Sequence, residues 1–150
     1  MVDPRELIAV LKAHRPSSHE IWGGDIIYAA PSRIEYLKKI KQKGIDKISY
    51  EELDWLLFKC KSTVGTENTF FYLLPDAFEV LLNDESGVFS DEYGLSLNPD
   101  FIFRKLFYCK FRNRPAPVQE AALKLCLFFG EKEEENSLVK DIKKEISAEV

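Results

Sequence analysis

The two histidines are the first residues to consider for metal chemistry. His14 and His19 are five residues apart on either side of Pro16, so they cannot share a helix face as a metal-binding pair does. Glu20 and Asp25 follow closely, but a metal site needs three or four converging ligands. The spacing favours surface histidines, with His14 at a helix C-terminus, where the dipole stabilises a cation. We predict no metal site.

Carboxylates could supply a general acid and a general base. Glu51, Glu52 and Asp54 stand close together in the sequence. They fall in the first turn of a predicted helix, where acidic residues cap backbone amides and interact with the helix dipole. We therefore predict a structural role for them and no catalytic pair.

The three cysteines are the candidates for nucleophilic chemistry. Lysines flank Cys60 and could lower the pKa of its thiol, but the sequence identifies no base partner for it. Cys109 and Cys126 lie in apolar runs, which is typical of buried, reduced thiols. The motifs of zinc, nucleotide and serine-hydrolase sites are absent from the sequence. We expect no catalytic residue, cofactor or enzymatic activity, with an enzyme whose site is unrecognised as an alternative.

The elements that must position these residues are predicted to be helices. Three residue pairs have the spacing of a capping box, namely Asp3 with Glu6, Ser32 with Glu35 and Ser49 with Glu52. Further helices are expected at 75–82, 99–112, 118–129 and 138–146 from apolar periodicity. Ile34, Leu37 and Ile40 should be the buried stripe of the second helix, which Gly44 should end with a left-handed conformation.

Prolines mark the predicted helix starts in the second half of the chain. The run 70–74 could be one short strand, with Pro75 in the first turn of the following helix. Asn98 and Pro99 should start a helix that continues to about Arg112. The helix 118–129 is the most apolar and should be central, with Gly130 closing it and a weakly docked amphipathic helix after it.

Composition sets the fold class. The chain has 150 residues, 45% of them hydrophobic, which suffices for a core without disulfides or metals. We predict an all-α single domain over residues 1–150, a bundle of about six or seven helices with long polar loops and Trp22 tucked into the core. No apolar run is long enough to span a bilayer, and the charged start does not resemble a signal peptide. A cytoplasmic location without membrane contact is expected.

Charge is segregated along the chain, although the net charge is only −4. Residues 76–100 hold seven acidic residues and no lysine or arginine, and residues 101–114 hold five basic residues and no acid. The two stretches could simply face each other or solvent. Alternatively, carboxylates around aromatic anchors would steer a basic partner onto this segment. The predicted partner-binding residues are Asp84, Glu85, Phe89, Asp91, Glu92 and Tyr93.

The basic stretch could suggest nucleic-acid binding instead. Its aromatic residues Phe103, Phe107 and Phe111 recur every four residues, a spacing that places them on one core-facing side of a helix. An acidic protein also lacks the basic footprint expected of a nucleic-acid-binding domain. We therefore expect no nucleic-acid partner.

One segment resembles a family of short uncharacterised bacterial proteins. Those proteins carry an aromatic-Phe-Leu-Thr-Pro-Glu-Ala-Phe type motif followed by a helix. The matching residues here are Phe70-Phe71-Tyr72-Leu73-Leu74-Pro75-Asp76-Ala77-Phe78, within 48–82. Leu74 replaces the threonine and Asp76 the glutamate, so a potential helix cap is lost.

The resemblance implies a binding module. Such small acidic helical proteins look like immunity proteins of polymorphic toxin systems, including contact-dependent growth inhibition. The expected function is therefore neutralisation of a cognate toxin domain, a basic nuclease, through an acidic surface. The alternative is a small adaptor or regulatory protein with another protein partner. The sequence does not specify the oligomeric state.

Overall fold

Every regular element in the described part of the chain is helical. The computed structural model describes residues 3–17, 21–22, 31–59, 65–83, 98–132 and 136–148. Within those ranges there is no strand, and the all-α prediction is confirmed. The α-helices are α1 (Pro4–Ala13), α2 (Pro31–Lys43), α3 (Tyr50–Lys59), α4 (Glu67–Asn83), α5 (Pro99–Tyr108), α6 (Ala116–Lys132) and α7 (Asn136–Ala148). Single 3₁₀ turns lie at Ile45–Lys47 and Phe111–Asn113.

Side-chain caps start three of these helices at the predicted places. The Asp3 carboxylate accepts a hydrogen bond from the Arg5 amide at 2.9 Å. Before α3 the capping box is reciprocal, since the Ser49 amide donates to Glu52 Oε1 at 2.8 Å and the Glu52 amide donates to Ser49 Oγ at 3.2 Å. The Asn98 side chain accepts from the Phe101 amide at 2.8 Å. These caps satisfy amides that have no partner inside their own helix.

The start and the buried face of α2 differ from the prediction. The helix begins at Pro31, so Ser32 lies inside its first turn; proline suits this position because its amide hydrogen would be unpaired there. Leu37 and Ile40 are buried as expected, but Ile34 is 38% exposed. Gly44 ends the helix with its φ at +99°, and its amide donates to the Ile40 carbonyl at 3.0 Å.

The predictions of a strand at 70–74 and of a helix beginning at Pro75 are both wrong. A single helix, α4, runs through the segment, and Pro75 lies in its interior. A continuous apolar run has no period that distinguishes a strand from a fully buried helix, and residues 70–75 are all buried. Thr66 precedes the helix, and its hydroxyl accepts from the Asn68 amide at 3.2 Å.

α5 is shorter than the sequence indicated. It ends at Tyr108 instead of continuing to Arg112, because Lys110 adopts a left-handed conformation with φ at +55° that breaks the helical path. The predicted aromatic face is only partly buried. Phe103 and Phe111 are buried as predicted, whereas Phe107 is 42% exposed.

α6 is the helix on which the core is assembled. It packs against α1, α5 and α7, and Phe129 stacks on Phe78 of α4 with ring centroids 6.0 Å apart. The central position predicted for it is therefore confirmed. Gly130 does not close the helix but lies buried inside it, facing Leu138 of α7.

α7 docks more closely than predicted. Leu138 and Ile142 are almost completely buried, and they belong to the main hydrophobic cluster. Arg112 also donates to Glu145 Oε2 at 2.7 Å, which ties the turn after α5 to α7. The last helix is therefore part of the core and not a loosely attached tail.

The short described piece between α1 and α2 contributes one buried residue. Trp22 was expected in the core, but it is only half-buried against it, with the Lys41 ammonium 5.2 Å from its ring centroid. Ile21 is the fully buried residue, and its carbonyl accepts a hydrogen bond from the Thr69 hydroxyl of α4.

Candidate functional site

The predicted partner-binding residues lie outside the described part of the chain. They are Asp84, Glu85, Phe89, Asp91, Glu92 and Tyr93. Described structure ends at Asn83, the last residue of α4, and resumes at Asn98, the cap of α5. The surface around the end of α4 is therefore the described surface closest in sequence to the predicted segment.

That surface contains a solvent-open groove. Its walls are the segment 45–53 on one side and the second half of α4 on the other, with Arg15 at one end, and its volume is about 460 Å³. We call this depression the α3–α4 groove. Its lining includes the apolar side chains of Ile45, Leu53 and Val80 and the acidic side chains of Asp46, Asp76 and Glu79. The groove combines an apolar lining with carboxylates, and its volume lies in the range of ligand pockets.

Arg15 organises one end of the groove. Its Nε donates to the Tyr72 carbonyl at 3.1 Å, its Nη2 donates to Asp76 Oδ1 at 2.7 Å, and its guanidinium carbon lies 4.8 Å from the Tyr72 ring centroid. Pro75 has no amide hydrogen, so the α4 ladder lacks one bond in this turn. The carbonyl left without its helical donor is that of Phe71, and Arg15 donates to the next one, Tyr72; it thereby joins the end of α1 to α4.

Asp76 and Tyr72 are both affected by burial. Burial raises the pKa of the Asp76 carboxyl above its ordinary value, and Arg15 opposes that shift without cancelling it. Burial also raises the pKa of the Tyr72 phenol, which donates to Asp46 Oδ1 at 2.7 Å. The phenol therefore stays protonated at neutral pH and acts as a hydrogen-bond donor.

An ion pair forms the rim of the groove towards α1. Lys12 pairs with Glu79, and both side chains are partly exposed. On the far side of this pair lies a second cavity of about 290 Å³, lined in part by Arg5 and Leu82. Glu79 and Asn83 line both cavities, so the end of α4 separates them.

A second surface carries exposed aromatic rings. Phe58 and Tyr108 are 45% and 48% exposed, and Phe58 stacks on Phe101 with ring centroids 5.9 Å apart. Lys105 lies beneath these rings and is only 8% exposed. Its ammonium donates to the Phe58 carbonyl at 3.0 Å and lies 4.8 Å from the Tyr108 ring centroid. The Lys105 ammonium is thus bound by groups of the protein itself. We call Phe58, Phe101 and Tyr108 the aromatic patch, and its surface is mainly apolar.

The candidate acid–base and metal residues have structural roles where they are described. Glu52 caps α3 and pairs with Lys43 Nζ at 2.6 Å. His14 is exposed at the end of α1, and its Nδ1 lies 2.9 Å from the Val10 carbonyl, as expected for a histidine at a helix end. His19 and Cys60 lie outside the described residues. Among those that are described, no three His, Cys, Asp or Glu side chains are grouped to hold a metal.

The pKa of Glu52 is consistent with its capping role. Burial acts to raise it, but the hydrogen bonds from Lys43 and Ser49 outweigh burial and hold it below its ordinary value. Glu52 is therefore a fixed carboxylate of the fold at neutral pH. Cys109 and Cys126 are both buried, as predicted, and burial strongly raises the pKa of the Cys126 thiol.

Sequence reasoning identified only part of the groove. Asp76 and Glu79 belong to the acidic segment that it singled out, but Arg15, Asp46 and Tyr72 were missed. Nothing local in the sequence points to Arg15, which lies 57 residues before the carbonyl that it reaches.

Comparisons of the chain with protein-family models, with curated proteins and with solved structures find no match. None of the helices in the described ranges is both long enough and apolar enough to cross a membrane.

Proposed function

We propose that this chain is a non-enzymatic immunity protein that binds a cognate bacterial toxin domain through an acidic surface and so neutralises it. The α3–α4 groove is the observation that carries the proposal, because Asp46, Asp76 and Glu79 line one solvent-open depression. The chain continues from Asn83 directly into Asp84 and Glu85. The predicted partner-binding segment is thus covalently attached to the edge of the groove.

The charge of this surface suits a basic toxin. A nuclease needs lysine and arginine side chains to hold the phosphate backbone of its substrate. Carboxylates on a partner attract that surface over long range and accelerate association. A protein with this role acts in the cytoplasm, where a nuclease toxin would meet its substrate.

The test is a binding measurement with the product of the gene immediately upstream. We expect nanomolar affinity and loss of the toxin's activity in the complex. The double charge reversal Asp84→Lys with Asp91→Lys should lower the association rate about tenfold or more at low salt and leave the helical circular dichroism unchanged.

A matched control carries the same change in net charge elsewhere. Glu120→Lys with Glu131→Lys alters two exposed residues of α6. This variant should associate nearly as fast as the wild type. If the association rate falls equally in both double variants, the effect comes from net charge alone. If the rate is unchanged for the Asp84/Asp91 variant, that segment is not part of the interface.

The aromatic patch favours a second candidate, an adaptor or regulatory protein with a different protein partner. Exposed aromatic rings of this kind are typical anchors of protein interfaces. Phe58→Ala with Tyr108→Ala separates the two functions. The adaptor predicts loss of its partner in a pull-down with this variant, whereas the immunity function predicts unchanged toxin binding.

A further inference from the structure

We propose that the α3–α4 groove receives an arginine side chain of the partner protein. The inference rests on the proposed function and adds the chemistry of the contact that would occupy the groove.

The groove has the dimensions and lining for a long amphipathic side chain. Its volume of about 460 Å³ exceeds the space that one arginine needs, so part of the partner backbone can enter as well. Ile45, Leu53 and Val80 offer apolar contact to the methylene stem of that arginine. Tyr50 also lines the groove and is 57% exposed, which makes its ring accessible to an incoming group.

The charges of the groove select a cation. Three carboxylates line it against one guanidinium, that of Arg15. Arg15 pairs with Asp76, and Lys12 pairs with Glu79. Within the described part of the chain, Asp46 accepts one hydrogen bond from the neutral phenol of Tyr72. A carboxylate has several acceptor positions, so Asp46 can accept further bonds from an incoming cation.

Arg15 shows which cation the groove suits. Its guanidinium combines a carboxylate, Asp76, with the face of an aromatic ring, Tyr72. Asp46 and Tyr50 provide the same two kinds of group along the groove. Arginine uses such a pair better than lysine does, because its planar guanidinium both stacks on a ring and bonds a carboxylate through two nitrogens.

The test uses Nα-acetyl-arginine amide as the probe and backbone amide NMR shifts of the whole protein as the readout. We expect saturable shifts at residues 45–50 and 76–83. Nα-acetyl-citrulline amide has nearly the same shape without the charge, and it should bind with at most about a tenth of the affinity of the arginine probe. Equal shifts with both probes, or arginine shifts spread over other acidic surfaces, would overturn the inference.

Two variants locate the contact. Asp46→Asn keeps an acceptor for Tyr72 and should weaken binding of the arginine probe about tenfold. Tyr50→Ala changes an exposed side chain, so this variant should fold normally, and it should bind the arginine probe several-fold more weakly. Asp141→Asn on the exposed face of α7 is the matched control and should leave binding unchanged.

The same variants distinguish this inference from the proposed function. If the toxin binds wild type and both groove variants equally, the groove inference is wrong while the immunity function stands. If the arginine probe binds the groove and the toxin does not bind the protein, the immunity function fails and the partner must be another arginine-bearing protein. If the toxin binds and both variants weaken it, the groove inference is supported.

Discussion

At the scale of single residues, Glu52 has the features of a functional carboxylate, but its role in the described structure is to stabilise the fold. It is a buried carboxylate with a perturbed pKa, which in other proteins marks functional sites. Here the neighbours that lower the pKa are Ser49, its partner in the capping of α3, and Lys43, its ion-pair partner at the end of α2. The sequence predicted this role because Ser49 and Glu52 have capping-box spacing, and a local pattern of four residues needs no knowledge of the rest of the fold.

The pH dependence of Glu52 can be predicted in sign. Its pKa is lowered in the folded protein, so its contribution to stability is present above the ordinary carboxyl pKa and is lost as the pH falls through the folded value. Compared with wild type, Glu52→Gln should be about 1 kcal/mol less stable at pH 7, and the difference should shrink as the pH falls below the ordinary carboxyl pKa and vanish below the lower folded pKa. Urea denaturation between these pH values measures it.

Glu51→Gln is the control for that experiment, since it removes a neighbouring carboxylate from the same first turn but at an exposed position. A stability difference for Glu52→Gln that stays constant across the pH range would contradict a charged capping role.

At the scale of elements, glycine positions show what sequence could and could not resolve. Gly44 was correctly assigned to the end of α2, because a glycine at the end of a helix can take the positive φ that other residues avoid. Gly130 was incorrectly assigned to the end of α6, because a glycine after an apolar run has the same local appearance whether the helix ends there or continues. A Cβ at Gly130 would meet Leu138 of α7, eight residues later, at an ordinary contact distance, so the packing does not require a glycine at this position.

The two glycines should respond oppositely to the same substitution. A Cβ at Gly130 would lie 3.4 Å from Leu138 Cδ2, an ordinary contact, so Gly130→Ala should stabilise the protein by about 0.5–1 kcal/mol through helix propensity. A Cβ at Gly44 would meet nothing within 4 Å, but the φ of +99° is unfavourable for alanine. Gly44→Ala should therefore destabilise by about 1 kcal/mol or more. Thermal and urea unfolding of both variants give the signs.

At the scale of the whole molecule, the all-α class was predictable, whereas the way in which the helices meet was not. Caps and apolar periodicity are local, and they identified most helices. The groove depends on Arg15 and Asp46 reaching α4 from residues 57 and 26 positions earlier than Tyr72, and such pairings leave no periodic trace in one sequence. The predicted partner-binding residues at 84–93 lie outside the described ranges and stay a prediction.

Because α7 docks closely against the core, truncating its buried side chains should lower the free energy of unfolding of the whole protein. Ile142 is completely buried, so Ile142→Ala should cost about 2–5 kcal/mol, as large-to-small changes in a packed core do. Ile146 is one turn further along and only partly buried, and Ile146→Ala should cost about 1 kcal/mol. Equal small losses for both variants in chemical denaturation would mean that α7 is not an integral part of the core.

The position of α1 has a consequence for the order of folding. α1 is synthesised before α4 and α6, yet it packs on both, and Arg15 beside it bonds residues 57 and 61 positions later. Until α6 has been made, the apolar face of α1 has only part of its binding surface available. During synthesis α1 is therefore among the last of these helices to find its place, and Leu7, Ile8 and Leu11 on its apolar face are a target for chaperones in the meantime.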